Sequence, residues 1–209
     1  MAWNDDLEVG TSAYKLASST ASVIRALAGP GSGKSFAIKR RVARLLESGI
    51  DPKKILAITF TRTAAQDVKR EILSLGIEGA DQVHSRTLHS HALKILMVNE
   101  VLERTDRVPR MVIDHEMQPA LRDIDKEKYG NVNNKKKLSK EYLAAWASLQ
   151  TDTPGFVKNS VQQEFEDDLI RWLKAHKGIQ VGEVIPVVIE YLRNNPASSE
   201  ISKYNVSSI

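Results

Sequence analysis

The chain has 209 residues, 42% hydrophobic and 27% charged. That is the composition of a globular protein, one domain or one domain with a sizeable insertion, and it excludes a disordered tail, a collagen or a coiled-coil rod. There is no cysteine, which excludes a disulfide framework, a thiolate zinc site and a cysteine nucleophile. The net charge of +4 is uneven: residues 1–110 hold 17 Lys+Arg against 12 Asp+Glu, and residues 111–209 hold 13 against 14. The excess in the first half fits either an anionic partner there or a merely soluble surface. Met1 to Glu8 is acidic and lacks the basic start and apolar core of a secretory signal. The longest aliphatic run, Val184 to Ile189, is far shorter than the ~20 residues of a spanning helix. The expectation is a cytoplasmic protein.

In chain order, Val23-Ile24-Arg25-Ala26-Leu27-Ala28 predicts a strand, broken by Gly29-Pro30-Gly31-Ser32-Gly33. From Lys34 onward, Ile38, Val42, Leu45 and Leu46 share one helical face, and Gly49 stops the helix. Ile55 to Phe60 is strand-like. Ala64-Ala65 opens a helix with Val68, Ile72 and Leu75 at helical spacing and Gly76 after it. Gln82 to Ser85 is a weaker third strand, leading into Leu88, Ala92, Ile95 and Leu96 on one helical face. This alternation predicts right-handed crossovers and a parallel sheet. Beyond Thr105 the strand signal fades. Val112 to Ile124, Tyr142 to Leu149, Val161 to Leu173 and Val181 to Leu192 predict an all-helical second part, with loops at Gly130 to Asn134 and Asn194 to Ala197. Lys135-Lys136-Lys137 is either a solvated helix start or a phosphate contact.

The chemistry concentrates at Ala28-Gly29-Pro30-Gly31-Ser32-Gly33-Lys34-Ser35, which has phosphate-loop spacing with Ala in first place. Glycines let backbone N–H groups converge on a phosphate, and the following helix points its positive end at the same anion. In this pattern Lys34 reaches the β- and γ-phosphates and Ser35 offers its hydroxyl to Mg²⁺. The expected ligand is a nucleoside triphosphate. His84, His89 and His91 lack the acidic companions a metal cluster needs, so no metal site is expected there.

Two further segments narrow the class. Ile58-Thr59-Phe60-Thr61-Arg62-Thr63-Ala64-Ala65 follows the second strand, and Ser85-Arg86-Thr87-Leu88-His89-Ser90 follows the third. With the phosphate loop they resemble, in order and spacing, motifs I, Ia and Ib of the UvrD/Rep family of superfamily 1 DNA helicases. Met111-Val112-Ile113-Asp114 resembles the start of that family's helical insert. Arg171-Trp172-Leu173, Gly182-Glu183-Val184-Ile185-Pro186 and Asn195-Pro196-Ala197-Ser198 resemble its end. The resemblance covers nearly the whole chain. It implies an α/β fold: an incomplete RecA-like phosphate-loop NTPase sheet over residues 1–106 (motor domain 1A), then an all-helical insert subdomain over 107–209 (1B).

The resemblance also implies an ATP-driven motor that walks on single-stranded DNA and unwinds duplex, with ATP and Mg²⁺ as cofactors and DNA repair as the setting. Phe60, Thr61 and Arg62 would sit against the single strand, with Thr87, His89 and Ser90 helping to hold its backbone. Phe60 reads either as a base-stacking residue or as core at the end of a buried strand. His89 reads either as a contact or as a satisfied helix-start histidine.

Departures from the family concern the base and the catalytic acid. At the place of the family's adenine-reading Gln stands Ala13-Tyr14-Lys15. Where many members have an Arg after motif I stands Phe36, which either flanks the base or is core. The Asp-Glu strand of motif II is expected just after Asn195-Pro196-Ala197, where the chain instead runs through Tyr204-Asn205-Val206-Ser207-Ser208-Ile209. Asp114-His115-Glu116 lies at the insert's start and is rejected as that pair. Motifs III to VI and the second motor domain are missing too. The expectation is an N-terminal helicase segment that needs the remainder of the motor, is inactive alone, and exposes an unpaired sheet edge. The alternatives are a truncated, non-motor nucleotide- or single-strand-binding protein and a phosphate-loop kinase. The Ia-like and Ib-like segments and the absence of a late lid-like Arg cluster speak against the kinase.

Overall fold

The structure, a computed structural model, describes residues 2–29, 31–147 and 160–198. Pro30 of the glycine-rich loop, the end of the helix expected at Tyr142 to Leu149, and the terminal run Tyr204 to Ile209 lie outside the described residues. The described chain is mixed α/β, 60% helical, with two parallel strands. It divides into two compact units: Met1–Leu88, to which the chain returns at Ala197, and His89–Pro196.

The first unit is built on one short helix and one long one. Helix α1 (Ser12–Ser18) starts at Thr11, whose hydroxyl accepts the Tyr14 N–H at 3.2 Å. The last carbonyls of a helix have no partner within it. Here two arginines of α2 (Lys34–Glu47) take them. Arg41 Nη1 donates to the carbonyls of Leu16 (3.0 Å) and Ser19 (2.8 Å), and Arg44 Nε to that of Ala17 (2.8 Å). Burial, and then the Arg44 charge, hold the Arg41 guanidinium below its ordinary value. The apolar stripe of α2, Val42, Leu45 and Leu46, packs with Ile55, Ile72, Ala80 and Val83. The helix ends because Gly49, at φ 82°, lets its own N–H reach Leu46 O (3.0 Å) and the Ile50 N–H reach Leu45 O (3.1 Å).

Strand β1 (Leu56–Thr59), helix α3 (Arg62–Leu73) and strand β2 (His84–Thr87) form one parallel β-α-β unit, in register from Leu56↔His84 to Thr59↔Thr87. α3 is fastened to the β2 segment by Ser85 Oγ donating to Ala65 O (2.7 Å) and Lys69 Nζ donating to Val83 O (2.9 Å). Two expectations are corrected. Val23 to Ala28 is not a strand, and Val23 and Leu27 are 78% and 85% exposed. Its β-branched residues favour strand locally, but a strand also needs a neighbour, and among the described residues β1 and β2 pair only with each other. The second strand starts at His84 because Ala80–Gln82 closes a 3₁₀ turn after left-handed Gly79.

The second unit is helical: α4 (Leu88–Leu96), α5 (Asn99–Thr105), α6 (Met117–Asp123), α7 (Lys126–Tyr129), α8 (Val132–Ala147), α9 (Ser160–Ala175) and α10 (Val184–Asn194). Ala92, Ile95 and Leu96 of α4 pack with Val101, Ile179, Val184, Val188 and Tyr191. A second cluster joins Leu121, Tyr129, Tyr142, Phe165, Leu169 and Leu173. Met111 forms a single parallel bridge with Ile179, so Val112 to Glu116 is not helical and α6 starts only at Met117. The loop expected at Gly130 to Asn134 is largely the start of α8. Asn131 caps it, its side-chain oxygen accepting the N–H groups of Asn133 (3.0 Å) and Asn134 (3.1 Å).

In the lysine run, Lys136 and Lys137 are exposed near the start of α8, as a solvated helix start expects, and the residue that departs from both readings is Lys135. It is buried, at 1% exposure, and its ammonium donates to Ile124 O at the carbonyl end of α6. An ion pair between Arg107 and Glu183 is also fully buried. Glu183 Oε2 also accepts the Gln180 N–H at 2.7 Å, closing a capping box ahead of α10. Burial pushes the Glu183 carboxyl up to about 7, with Arg107 pulling against it.

Candidate functional site

The glycine-rich loop takes the shape its residues demand. Gly31 and Gly33 have φ 71° and 76°, a left-handed conformation that costs only glycine little. Gly33 is the N-cap of α2, and its carbonyl accepts the Ala37 N–H at 2.9 Å. The N–H groups of the first turn, Lys34, Ser35 and Phe36, therefore have no partner inside the helix. Ser32 turns the loop inward, its hydroxyl donating to Gly29 O at 2.7 Å. Lys34 Nζ folds back over the loop, donating to Ala28 O at 3.1 Å and to Gly29 O. Ser35 is exposed beside it. A Cβ built on Gly29, Gly31 or Gly33 would meet nothing within 4 Å, so the loop is open to solvent.

Phe36 is half-buried, with the Arg40 guanidinium 5.2 Å from its ring centre. Sequence reading missed that pairing, although the i, i+4 spacing carries it. Among the described residues no group of three or more His, Asp or Glu side chains could hold a metal ion. Any metal at this loop would rest on Ser35 and on the ligand's own oxygens. A helix N-terminus whose first N–H groups have no partner inside the helix, an ammonium and a hydroxyl on one open loop are the donor set a magnesium-bound triphosphate needs.

In the second set of expected residues, those of the first unit, Phe60, Thr61, Arg62 and Thr87, leave the sheet at its carboxyl edge, where parallel sheets place ligand-binding groups. Phe60 follows β1 and is 94% exposed, so it is not a core residue. Thr61 is the N-cap of α3: its hydroxyl accepts the Ala64 N–H at 3.1 Å, and its carbonyl accepts the Thr59 hydroxyl at 3.0 Å. Arg62 is exposed in the first turn of α3. Thr87 ends β2 in register with Thr59. His89 and Ser90 are exposed in the first turn of α4.

Asp114 and Glu116 belong to neither set. Glu116 accepts from Arg110 Nη1 (2.8 Å) and from the Ile113 N–H (3.1 Å). The Ile113 bond first, then the Arg110 bond, holds its carboxyl below the ordinary glutamate value.

The sequence matches the family model described as the UvrD/REP helicase N-terminal domain over residues 10–199, and the chain belongs to that family. It is 26% identical over 203 residues to the ATP-dependent DNA helicase PcrA of Staphylococcus aureus, covering 85% of this chain and 27% of that protein. To the protein of the same description in Staphylococcus epidermidis it is 29% identical over 127 residues, covering 60% of this chain and 17% of that protein. The chain thus spans about a quarter of the length of the Staphylococcus aureus relative. No described helix is long and apolar enough to cross a membrane.

Proposed function

We propose that this chain is the nucleotide-holding part of a DNA helicase that couples ATP hydrolysis to movement along single-stranded DNA and unwinding of duplex. Residues 1–106 would serve as a partial RecA-like motor domain and 107–209 as its helical insert. The observation that carries the reading is the loop itself: two left-handed glycines run directly into α2, with Lys34 bent back over their carbonyls. The family match supports the same reading.

Each part of the loop then has a task. The backbone of Ala28, Gly29 and Gly31 to Gly33 surrounds the phosphates. Lys34 exchanges its carbonyl partners for phosphate oxygens, and its charge offsets theirs. Ser35 directs its hydroxyl to the metal, and Phe36 flanks the base. Bound Mg²⁺–ATP supplies the phosphoanhydride whose cleavage drives the motor. Phe60 offers a ring to a base, Arg62 offers a guanidinium to a phosphate, and Thr61, Thr87, His89 and Ser90 add hydrogen bonds to the backbone.

Hydrolysis also needs a positioned water, a second metal contact and groups that neutralise charge on the transferred phosphate. Nothing in the sequence matches those groups, so the chain binds nucleotide but does not turn it over alone, and the second motor domain is its expected partner. Phosphate release tests this directly, with Lys34→Ala as the blank for contaminating activity. The expected result is no turnover above that blank, with or without single-stranded DNA. DNA-stimulated release that disappears in Lys34→Ala would overturn it and direct attention to Asp114 and Glu116.

A further inference from the structure

A groove of about 440 Å³ runs beside the start of β2, away from the phosphate loop in sequence and built from three separate segments of the first unit. Lys53 comes from the turn before β1, Lys69 from α3, and Asp81, His84 and Arg86 from the β2 segment. Three permanent cations face one carboxylate. Lys53 is exposed and has no ion-pair partner among the described residues. Lys69 is half-buried and fixed by two main-chain carbonyls, those of Asp81 and Val83 (2.9 Å), which leave its charge uncancelled. The Arg86 guanidinium, which carries five donors, directs one of them to His84 Nδ1 at 3.0 Å.

The main chain adds a donor. The His84 N–H pairs with Ile55 O at 3.0 Å. In a parallel ladder alternate residues turn to alternate sides, so Val83 and Ser85 turn their backbone groups to the outer edge. Lys69 on Val83 O follows that geometry. The Ser85 N–H is thereby presented along the same edge as the cations.

We propose that this groove is a second nucleic-acid contact, separate from the Phe60 and Thr87 segments, which grips the phosphodiester backbone. The cations are spread along an open edge, which suits a chain of phosphates better than one anion. No Phe, Tyr or Trp lines the groove, and its one ring, His84, is held by Arg86, so the cations set a grip on the phosphate backbone that is independent of sequence. The choice of nucleic acid over other polyanions rests on the helicase reading.

The test is fluorescence anisotropy of a labelled oligothymidine against salt, using the full chain and the variants Lys53→Ala, Arg86→Ala, the double variant and Phe60→Ala, each checked for folding by circular dichroism. Each groove variant is expected to lower the slope of log affinity against log salt by about 1, and the double variant by about 2. Phe60→Ala is expected to weaken binding with its slope retained. If Arg86→Ala fails to fold, exposed Lys53 carries the test alone. Unchanged slopes in the groove variants, with Phe60→Ala weakened, overturn the groove and leave the proposed function standing. No binding by the wild-type chain, or no effect of any variant, overturns both. Equal displacement of the DNA by an oligoglutamate of matched charge overturns the nucleic-acid assignment in favour of an acidic peptide.

Discussion

At Phe60 a large aromatic ring stands 94% exposed directly after a strand. Such a ring adds little to folding, so Phe60→Ala is expected to leave the melting temperature unchanged and to weaken single-strand binding by about 1–3 kcal/mol, read by anisotropy. Arg107 is the opposite case, a buried cation whose removal strands a carboxylate. Arg107→Ala is expected to cost about 3–5 kcal/mol of stability in urea unfolding. The pH dependence has a definite sign. Glu183 lies at about 7 against an ordinary 4.5, so its contribution is complete below 4.5 and is lost as pH rises through about 7. Without Arg107 the folded-state value rises further, and the loss is larger at about pH 8 than at about pH 5. A loss that shrank on going to alkaline pH would contradict this assignment. Lys34 is named by motif spacing, and Phe60 and Arg62 by the resemblance of their segment to a family motif. Arg107, Glu183 and Lys135 are not, because no local pattern says that a charged side chain ends up buried against a partner 76 residues away, as Arg107 and Glu183 do.

Among the elements, α2 and α3 are legible because apolar spacing and a following glycine agree, whereas the Thr61 cap that starts α3 at Arg62, ahead of the expected Ala64, emerges only from the structure. Thr61 has two candidate roles, and capping can be separated from DNA contact. Thr61→Ala is expected to lower stability by about 0.5–2 kcal/mol through the lost bond to the Ala64 N–H, and Thr61→Ser to restore it, both read by thermal melting. No loss in Thr61→Ala would remove the cap. The strand expected at Val23 to Ala28 misleads because propensity is local and pairing is not. The polar run Gly130 to Asn134 misleads because Asn131 begins a helix as readily as it makes a loop. α1 is short, and what secures its carbonyl end is Arg41 and Arg44 of the next helix, a contact no window of sequence contains. The groove beside β2 is invisible to spacing for the same reason, since Lys53, Lys69 and Arg86 meet only through the fold.

For the molecule as a whole, the chain has two compact units, a glycine-rich loop and a small parallel sheet in the first and helices in the second, and it belongs to the UvrD/REP helicase N-terminal domain family. The chain spans about a quarter of a helicase relative, and the function proposed for it is nucleotide binding without turnover. Everything rests on Lys34 and the loop beneath it. The most direct measurement is calorimetric titration of Mg²⁺–ATP into the wild-type chain and into Lys34→Ala, with circular dichroism as the folding control. The account predicts saturable binding of one nucleotide per chain and its loss in the variant, while the fold is retained because Lys34 is exposed. Equal affinity in a folded Lys34→Ala protein would contradict it.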